Sequence, residues 1–508
     1  MRERTSDEVA VRRRPDLRAL LSPATIAGVA VLGSIAAKSL AERIAEHDLW
    51  WHMRAGELIV ATRSIPHADV FSYTAAGSPW VVQSWLADVF LHGIDAAFGP
   101  RGIIVWRALM LVAIYGLAAR IMVKDAGHSV RTWALIALAT YAGVLGWIER
   151  PNLFSYLLIV AVVALARDSE RRAWWAVPLI ALWANLHAMV VLGVGVLLLL
   201  AGARWLAVVT RLDDARDCAR RATLVAGAGL LASFINPSGP AIWSFAARLT
   251  RTASLVSTEW ASPDFHRAGV LPFLALILVA AVVMAYARDR ITPTELMLAA
   301  AFIGLGLFSE RNLPASGLVL GLVLARLLRP VPAGDVREAA EQRTPPETRG
   351  NNLSVTGPAL VAVLAVLALI VVQRFPSSSD LVAVADRSLP VAAIRDLPRE
   401  PIRLFIDDRW GGLAIYMRWP GVHVAIDGRA EVYGKARIAR YAVTLAGDHT
   451  WLDETCTTHA IVPETSGLAM SLRSDPEWML AGRYRLDSEV AESFALRDPA
   501  SRARCAGS

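Results

Sequence analysis

Two carboxylates and an imidazole stand close together early in the chain, within the segment Glu46-His47-Asp48-Leu49-Trp50-Trp51-His52. Acidic side chains one residue apart, followed by a histidine, are suitable ligands for a divalent cation. One carboxylate could instead act as a general base. A third interpretation places both tryptophans in the aromatic belt of a membrane and the carboxylates in water. Glu46, Asp48 and His52 are therefore candidate catalytic residues, and Glu46 and Asp48 are also candidate metal ligands.

A second set consists of basic or titratable residues near the ends of hydrophobic runs: Arg107, Arg150, His187 and Arg311. Ionisable groups at membrane depth are costly and often functional. Four such groups at one level could bind the phosphate of a lipid. The structural alternative is that Arg150 pairs with Glu149 and Arg311 with Glu310, or that the arginines extend to the headgroups.

A third candidate segment is Glu259-Trp260-Ala261-Ser262-Pro263-Asp264. Glu259 and Asp264 could complete an acidic site with the carboxylates near residue 48. A capped turn that leads into a helix explains the same residues equally well.

The elements that must position these residues follow from the composition. The chain has 508 residues, of which 55% are hydrophobic and only 19% charged, and its mean hydropathy is +0.43. Soluble domains are less apolar and carry more charge, so a soluble enzyme and a disordered chain are excluded. The net charge of +7 reflects membrane topology rather than nucleic-acid binding.

Eleven membrane spans are predicted from long apolar runs, since a span needs about 20 apolar residues. The run 173–203 is too long for one span, and we divide it at its only polar interruption, 184–187. The predicted spans are 19–37, 102–123, 132–148, 151–166, the two halves of 173–203, 222–247, 268–287, 296–309, 312–325 and 350–373.

Charge asymmetry orients these spans. The predicted inner segments hold 24 Lys and Arg residues and the outer loops hold nine, which is the positive-inside bias. The N-terminus is then cytoplasmic, the first span is an uncleaved anchor, and residues 326–349 form a cytoplasmic linker. Residues 1–373 form the membrane domain, with a long first outer loop at 42–101. Within it, residues 83–98 are predicted to form an amphipathic helix on the membrane surface.

Residues 374–508 are predicted to form a small α/β domain outside the membrane. Short strands are expected at 402–406, 422–426, 460–462 and 494–496, and a helix at 435–445. An oxidising compartment would permit a disulfide between Cys456 and Cys505. The segment Ile426-Asp427-Gly428-Arg429-Ala430-Glu431-Val432-Tyr433 is either a ligand-binding site of this domain or a strand followed by a glycine turn.

Several motifs resemble a group of bacterial multi-pass membrane proteins whose first outer loop opens on an acidic-x-Asp-x-Trp-Trp-His pattern. The resemblance extends from about residue 40 to 495. Besides Glu46–His52, it rests on Pro66-x-x-Asp69-x-Phe71-Ser72, Arg150-Pro151-Asn152-Leu153-Phe154-Ser155, Trp183-Ala184-Asn185-Leu186-His187, Asn236-Pro237, Glu259-Trp260-x-Ser262-Pro263-Asp264-Phe265 and Ile426-Asp427-Gly428-Arg429.

The architecture of that group is similar to the GT-C glycosyltransferases, which use polyprenyl-phosphate sugars as donors. The resemblance implies a membrane enzyme of the bacterial cytoplasmic membrane that moves a sugar to an acceptor at the outer face. It assigns Asp48 as base or metal ligand, Glu46 as its partner carboxylate, and Arg150 and Arg311 as ligands of the donor phosphate. Members commonly carry an acidic residue where this chain has Ser84, so that position is not assigned a catalytic role.

Two other functions remain open at this point. The chain could be a non-enzymatic component of surface polysaccharide assembly or transport, although it shows no internal repeat of the kind that transporters carry. Alternatively, the outer domain could bind a glycan or a protein while the membrane part only anchors it. This last reading predicts a concave polar site in the domain and none in the loop 42–101.

Overall fold

The computed structural model describes residues 22–210, 216–252, 258–329, 381–399 and 401–498. Up to residue 329 these residues are almost entirely helical. The helices are α1 (Pro23–Ala41), α2 (Leu49–Thr62), α3 (Trp85–Phe98), α4 (Pro100–Ala126), α5 (Val130–Tyr141), α6 (Asn152–Asp168), α7 (Ala176–Leu186), α8 (Val190–Val209), α9 (Arg216–Ala232), α10 (Ala241–Thr252), α11 (Leu271–Tyr286), α12 (Pro293–Phe308) and α13 (Leu313–Leu327).

Three of the described helices, α1, α4 and α8, are long and apolar enough to cross a membrane, and α11 and α12 are shorter apolar helices. The predicted count of eleven spans is therefore not confirmed. The predicted span 350–373 and most of the predicted linker 326–349 lie outside the described residues. The division of the run 173–203 is observed, because α7 ends at Leu186, His187 is extended, and α8 begins at Val190.

Helix α13 lies at the centre of the bundle, and its residues from Leu313 to Ala325 are all buried. Two glycines allow this close packing. A Cβ atom on Gly317 would lie 2.8 Å from the carbonyl oxygen of Ala139, and one on Gly321 would lie 2.8 Å from the Ala139 Cβ. A substitution at either position would force α13 away from α5. This fixed helix begins two residues after Arg311 and so determines where that side chain lies.

The first outer loop contains helices α2 and α3, which pack tightly on each other. A Cβ atom on Gly56 of α2 would lie 2.1 Å from the carbonyl oxygen of Asp88 on α3, so the contact requires a glycine. The predicted helix at 83–98 is observed as α3. Helix α2 begins directly after Asp48 and ends at Thr62, and the next residue, Arg63, has a φ of 53° in the left-handed region.

The C-terminal part is an α/β unit, as predicted. It comprises α14 (Leu381–Val384), α15 (Val391–Arg395), β1 (Ile402–Ile406), α16 (Asp408–Arg418), β2 (Val422–Val424), α17 (Ala430–Leu445), α18 (Thr450–Glu454), β3 (His459–Pro463), α19 (Gly467–Ser474), β4 (Trp478–Arg485) and β5 (Val490–Leu496). The strand order is β2-β1-β3-β5-β4. Strand β1 is parallel to β2 and β3, and β5 is antiparallel to β3 and β4.

Four of these strands overlap the predicted ones, and β4 was not predicted. Its sequence contains Leu480-Ala481-Gly482, which breaks the alternation of polar and apolar residues, and the pairing with β5 is irregular at the same point. Cys456 is disulfide-bonded. Cys505, its predicted partner, lies outside the described residues.

The first outer loop and the C-terminal sheet are joined through their backbones. The amide of Tyr73 donates to the carbonyl oxygen of Val424 at 3.1 Å, and the Val424 amide donates to the Phe71 carbonyl oxygen at 3.2 Å. The loop thus pairs in parallel with the outer edge of β2. Residues that are 350 positions apart in the chain therefore form one structural unit.

A buried ion cluster fixes this junction. The Arg429 guanidinium lies 2.7 Å from the Asp69 carboxylate of the loop and 2.6 Å from the Asp427 carboxylate, and all three side chains are buried. The Tyr433 hydroxyl donates to Asp427 at 2.7 Å. The guanidinium carbon also lies 4.6 Å from the ring centre of Trp80. Because each charge is paired, the cluster can remain buried.

Candidate active site at the junction of loop, bundle and sheet

One cavity of about 210 Å³ lies where the loop, the helical bundle and the sheet meet. The polar residues that line it include His47, Asp48, His52, Gln83, Arg150, His187, Glu259, Arg311, Asp408, Arg409, Asp427 and Glu431. Six of the nine predicted site residues are among them, namely Asp48, His52, Arg150, His187, Glu259 and Arg311. The structure therefore brings together residues that are separated by more than 260 positions in the sequence.

Asp48 lies at the first turn of α2 with both carboxylate oxygens engaged. Its Oδ1 accepts a hydrogen bond from Trp51 Nε1 at 3.2 Å, and its Oδ2 lies 3.1 Å from Arg150 Nη2. Burial raises the pKa of Asp48, but the charges of Arg150 and His52 and the hydrogen bond from Trp51 together outweigh it and leave the pKa below its ordinary value. Asp48 is thus held as a carboxylate.

Arg150 is the cation at the centre of an acidic cluster. Its guanidinium lies 2.5 Å from Glu46, 3.1 Å from Asp48 and 2.9 Å from Glu259. Glu46 lies behind Asp48 rather than in the cavity, and it also accepts the Asp48 backbone amide at 3.1 Å. Glu46 and Asp48 thus share Arg150 as an ion-pair partner, while the role of Glu46 as partner carboxylate in a reaction stays a prediction. The alternative pairing of Arg150 with Glu149 is not observed.

Arg311 reaches the same cavity from the turn before α13. Its Nη1 lies 2.6 Å from Glu259, and its guanidinium carbon lies 5.0 Å from the ring centre of Trp260. Burial raises the pKa of Glu259, but Arg150 and Arg311 together bring it below its ordinary value. Glu259 is thus shared by the two arginines, and it is the only carboxylate among the described residues that pairs with Arg311. The rest of the Arg311 guanidinium is therefore available to an anionic ligand.

Two histidines line the cavity and bond to different partners. His52 Nδ1 lies 2.7 Å from Asp88 Oδ1, and both side chains are buried. His187 Nδ1 lies 2.9 Å from Ser155 Oγ, which accepts a hydrogen bond from Trp183 Nε1 at 2.8 Å. Burial and then the charge of Arg311 lower the pKa of His187 well below its ordinary value, so His187 is neutral at physiological pH.

The C-terminal sheet supplies the opposite wall of the cavity. Asp408 and Arg409 follow β1, and Asp427, Gly428 and Glu431 follow β2. The carboxyl ends of these two parallel strands therefore point toward the cavity, as is usual for ligand sites in open α/β sheets. A Cβ atom on Gly428 would lie only 1.8 Å from Asp48 Oδ1, so a glycine is required where the sheet meets the catalytic candidate.

Two carboxyl groups in this wall are harder to ionise than usual. Burial, aided by the negative charges of Asp427 and Asp48, raises the pKa of Glu431 to about 7. Burial and the adjacent Asp407 raise the pKa of Asp408 to about 6. Elevated carboxyl pKa values in a cleft are typical of functional sites, and sequence analysis assigned neither residue to this site.

Two predicted site residues lie elsewhere. Arg107 is buried in α4, where it pairs with Glu149 and donates to the carbonyl oxygens of Ser39 and Glu42, the latter at 2.7 Å. It anchors the turn that carries Arg150 and cannot reach a lipid phosphate in the cavity. Asp264 is exposed and bonds to His266 at 2.9 Å, so it caps a turn, as the structural alternative proposed.

The predicted metal site at Glu46 and Asp48 does not fit the arrangement of their carboxylates, because the Arg150 guanidinium takes the position that a cation would need. In the part of the chain that the structure describes, no group of three or more His, Cys, Asp or Glu side chains is arranged to hold a metal ion. The reaction proposed for this cavity uses protein side chains and no metal.

Both predicted interpretations of the segment 426–433 describe part of what is observed. The segment follows the end of β2 and contains a glycine turn, and it also lines a concave polar site. That site is shared with the loop 42–101, so the prediction that the domain alone carries a site is wrong.

Comparison with solved structures gives the fold. Archaeal oligosaccharyltransferase AglB from Archaeoglobus fulgidus, in complex with an inhibitory peptide and a dolichol-phosphate, superposes with a TM-score of 0.55 at 10% identity, over 86% of this chain and 69% of that one. ArnT from Cupriavidus metallidurans in the apo state superposes with a TM-score of 0.51 at 12% identity, over 92% and 97% of the two chains. The fold is that of GT-C glycosyltransferases.

The comparison supports the coarser part of the predicted architecture, a mostly helical GT-C-like fold with a small C-terminal sheet. No protein-family model matches the sequence. No curated protein matches it by sequence either. At such low identity the GT-C likeness establishes the fold, and function must be argued from the cavity.

Proposed function

We propose that this protein is a glycosyltransferase that moves a sugar from a polyprenyl-phosphate donor to an acceptor at the outer face of the cytoplasmic membrane. The observation that carries the proposal is the presence of Asp48, Arg150 and Arg311 in one polar cavity. The GT-C fold supports the same class of reaction, and one structural neighbour is described in complex with dolichol-phosphate.

The chemistry requires a base and positive charge near the same carbon atom. The acceptor hydroxyl attacks the anomeric carbon, and the bond from that carbon to the phosphate oxygen breaks with its electrons. Arg311, with Arg150 beside it, stabilises the charge that develops on the leaving phosphate. The carboxylate of Asp48 and the imidazole of His52 lie in the cavity as possible proton acceptors.

Binding of undecaprenyl phosphate to the purified protein in lipid nanodiscs tests the donor site. Arg311→Met should weaken binding at least tenfold, because a charged hydrogen bond to phosphate contributes about 1.5–3 kcal/mol. Arg267→Met is the matched control, since Arg267 pairs with Glu310 at 2.8 Å outside the cavity and is 53% exposed. Equal binding by wild type and Arg311→Met would overturn the assigned phosphate site.

Turnover is tested by release of undecaprenyl phosphate from glycosylated undecaprenyl phosphates incubated with membrane extract as acceptor. Asp48→Asn should lower the rate of release while the protein remains folded, because it removes a carboxylate of the cavity that holds Arg150. If the wild type binds the lipid but releases none across a panel of sugars, the non-enzymatic role in polysaccharide assembly or transport is favoured instead.

A further inference from the structure

We infer that His52, oriented by the buried carboxylate of Asp88, is the group that takes the acceptor proton. The inference rests on the proposed transfer reaction and assigns one of its roles. Asp88 does not line the cavity and is a positioning residue that acts through His52. Sequence analysis did not single out Asp88.

The contact between α2 and α3 builds this pair. Gly56 brings the two helices close enough for the Asp88 carbonyl oxygen to lie 2.1 Å from the position of a Cβ atom at residue 56. One turn earlier on α2, His52 Nδ1 lies 2.7 Å from Asp88 Oδ1, and Asp88 is fully buried. Ser84 Oγ lies 3.4 Å from the same nitrogen. The imidazole also stacks on Trp51 with ring centres 3.6 Å apart.

This geometry selects one tautomer of His52. Burial raises the pKa of Asp88, and the charge of His52 acts in the opposite direction. An ionised Asp88 carboxylate has no proton to donate, so Nδ1 then carries the hydrogen and donates it to Asp88. Nε2 is then an unprotonated nitrogen and is the one left for a ligand in the cavity. The Asp88 charge also stabilises the imidazolium that forms when Nε2 accepts a proton, which is the role of the carboxylate in a His–Asp pair.

Asp48 is a weaker proton acceptor than His52. Both of its oxygens are engaged, one by Trp51 and the other by Arg150, and a carboxylate held by a guanidinium gains little from protonation. Asp48 instead places a negative charge in the same cavity as His52. His187, which also lines that cavity, is neutral.

His187 presents the opposite tautomer to the same cavity. Ser155 Oγ accepts a hydrogen bond from Trp183, so its own hydrogen is available for His187 Nδ1 at 2.9 Å. With Nδ1 as acceptor, Nε2 of His187 carries the hydrogen and can donate to a phosphate oxygen. The cavity therefore holds one imidazole that accepts at Nε2 and one that donates there.

In the proposed step, proton transfer accompanies the formation of one bond and the cleavage of another. The acceptor hydroxyl loses its proton to His52 Nε2 as the new bond from oxygen to the anomeric carbon forms. The bond from that carbon to the phosphate oxygen breaks, and its electron pair stays on the phosphate beside Arg311. The imidazolium of His52 then returns its proton to water.

Nitrogen NMR of protein labelled with [15N]histidine tests the tautomers without requiring turnover. The His52 signals are assigned by their loss in His52→Gln, and His187 by its loss in His187→Gln. We expect a protonated Nδ1 in His52 and a protonated Nε2 in His187. In Asp88→Asn, whose amide can donate to Nδ1, the hydrogen of His52 should move to Nε2. Asp95→Asn, on the same helix but outside the cavity, should leave both signals unchanged.

The transfer assay then tests the catalytic role. Asp88→Asn and His52→Gln should each lower kcat by about 100-fold or more, while affinity for undecaprenyl phosphate stays within twofold of wild type. A protonated Nε2 in wild-type His52, or an unchanged kcat in Asp88→Asn despite the altered tautomer, would overturn the inference. Loss of lipid binding in the wild type would instead overturn the proposed function and leave the tautomer result standing.

Discussion

Arg150 pairs with three carboxylates and also lines the cavity. Glu46, Asp48 and Glu259 all lie within 3.1 Å of its guanidinium. Without the arginine, Glu46 and Asp48 would be left as a pair of carboxylates of the kind that hard divalent cations bind. The choice between a metal site and an arginine site therefore depends on one side chain.

Arg150→Met should convert the cluster into a metal site. Removing the guanidinium leaves Glu46 and Asp48 without their counter-charge, whereas Glu259 keeps Arg311. Mn²⁺ can supply the missing positive charge. Electron paramagnetic resonance of Mn²⁺ added to the protein should show about one bound ion per chain in the variant. Arg311→Met is the control, because it leaves Arg150 in place. Stoichiometric Mn²⁺ bound at these carboxylates in the wild type would contradict the arrangement described above.

Glu431 should make the protein less stable as the pH rises. Its pKa is about 7 when folded, above the ordinary value of 4.5. A carboxyl whose pKa is raised by folding destabilises the folded state once it must ionise, so the penalty grows between these two values and is constant above them.

Glu431→Gln removes that penalty. It should stabilise the protein by about 3 kcal/mol near pH 8 and by almost nothing near pH 4, since one pKa unit corresponds to about 1.4 kcal/mol. Melting curves of the full chain in nanodiscs at the two pH values provide the measurement. Glu477→Gln changes an exposed side chain and should show no such pH dependence. A gain that is equal at both pH values would show that ionisation is not its cause.

At the scale of elements, apolar runs and strand alternation predicted most of what is observed. The break at His187, the helix α3 and the strand β1 all follow from local sequence. Strand β4 could not be predicted in this way because Gly482 and its neighbours carry no alternation, and its pairing depends on β5. The close approach of α2 and α3 at Gly56 is likewise a tertiary property, and for that reason the pairing of His52 with Asp88 was missed.

The junction between loop and sheet depends on the buried charges of Arg429. Arg429→Leu leaves Asp69 and Asp427 buried without their cation, which should cost about 3–5 kcal/mol. Arg409→Leu is a matched control, because Arg409 pairs with Asp407 two residues earlier in the same manner but is 45% exposed, and such pairs contribute only about 0–1 kcal/mol. Melting temperatures from tryptophan fluorescence compare the two. Equal losses would mean that burial of the pair is not decisive.

At the scale of the whole molecule, the site was only partly predictable. Asp48, Arg150 and Arg311 were identified because charged groups near hydrophobic runs are conspicuous. Asp408 and Glu431 were not assigned to the site, because their positions follow from the sheet topology, which directs the ends of β1 and β2 toward the membrane domain. Arg107 has the same sequence signal as Arg150, and only packing distinguishes an anchoring arginine from one in a cavity.

The predicted orientation of the chain in the membrane can be tested with single cysteines. His266→Cys lies at an exposed turn beside the predicted outer loop, and Asp289→Cys lies at an exposed turn on the predicted inner side. A membrane-impermeant maleimide added to intact cells should modify the first and not the second, and both should react after lysis. The wild type gives the background from native cysteines. The reverse pattern would invert the topology.

The pairing of Phe71 and Tyr73 with β2 has a consequence for any attempt to isolate the outer domain. An edge strand with unpaired amides and carbonyls can form backbone hydrogen bonds with another extended chain. In the intact protein, residues 71–73 of the loop pair with this edge of β2, and the ion pair between Arg429 and Asp69 holds the loop in place. A fragment that begins after the last predicted membrane segment would expose unpaired backbone amides and carbonyls along β2 and would be prone to self-association. The loop thus keeps the domain soluble by covering this edge.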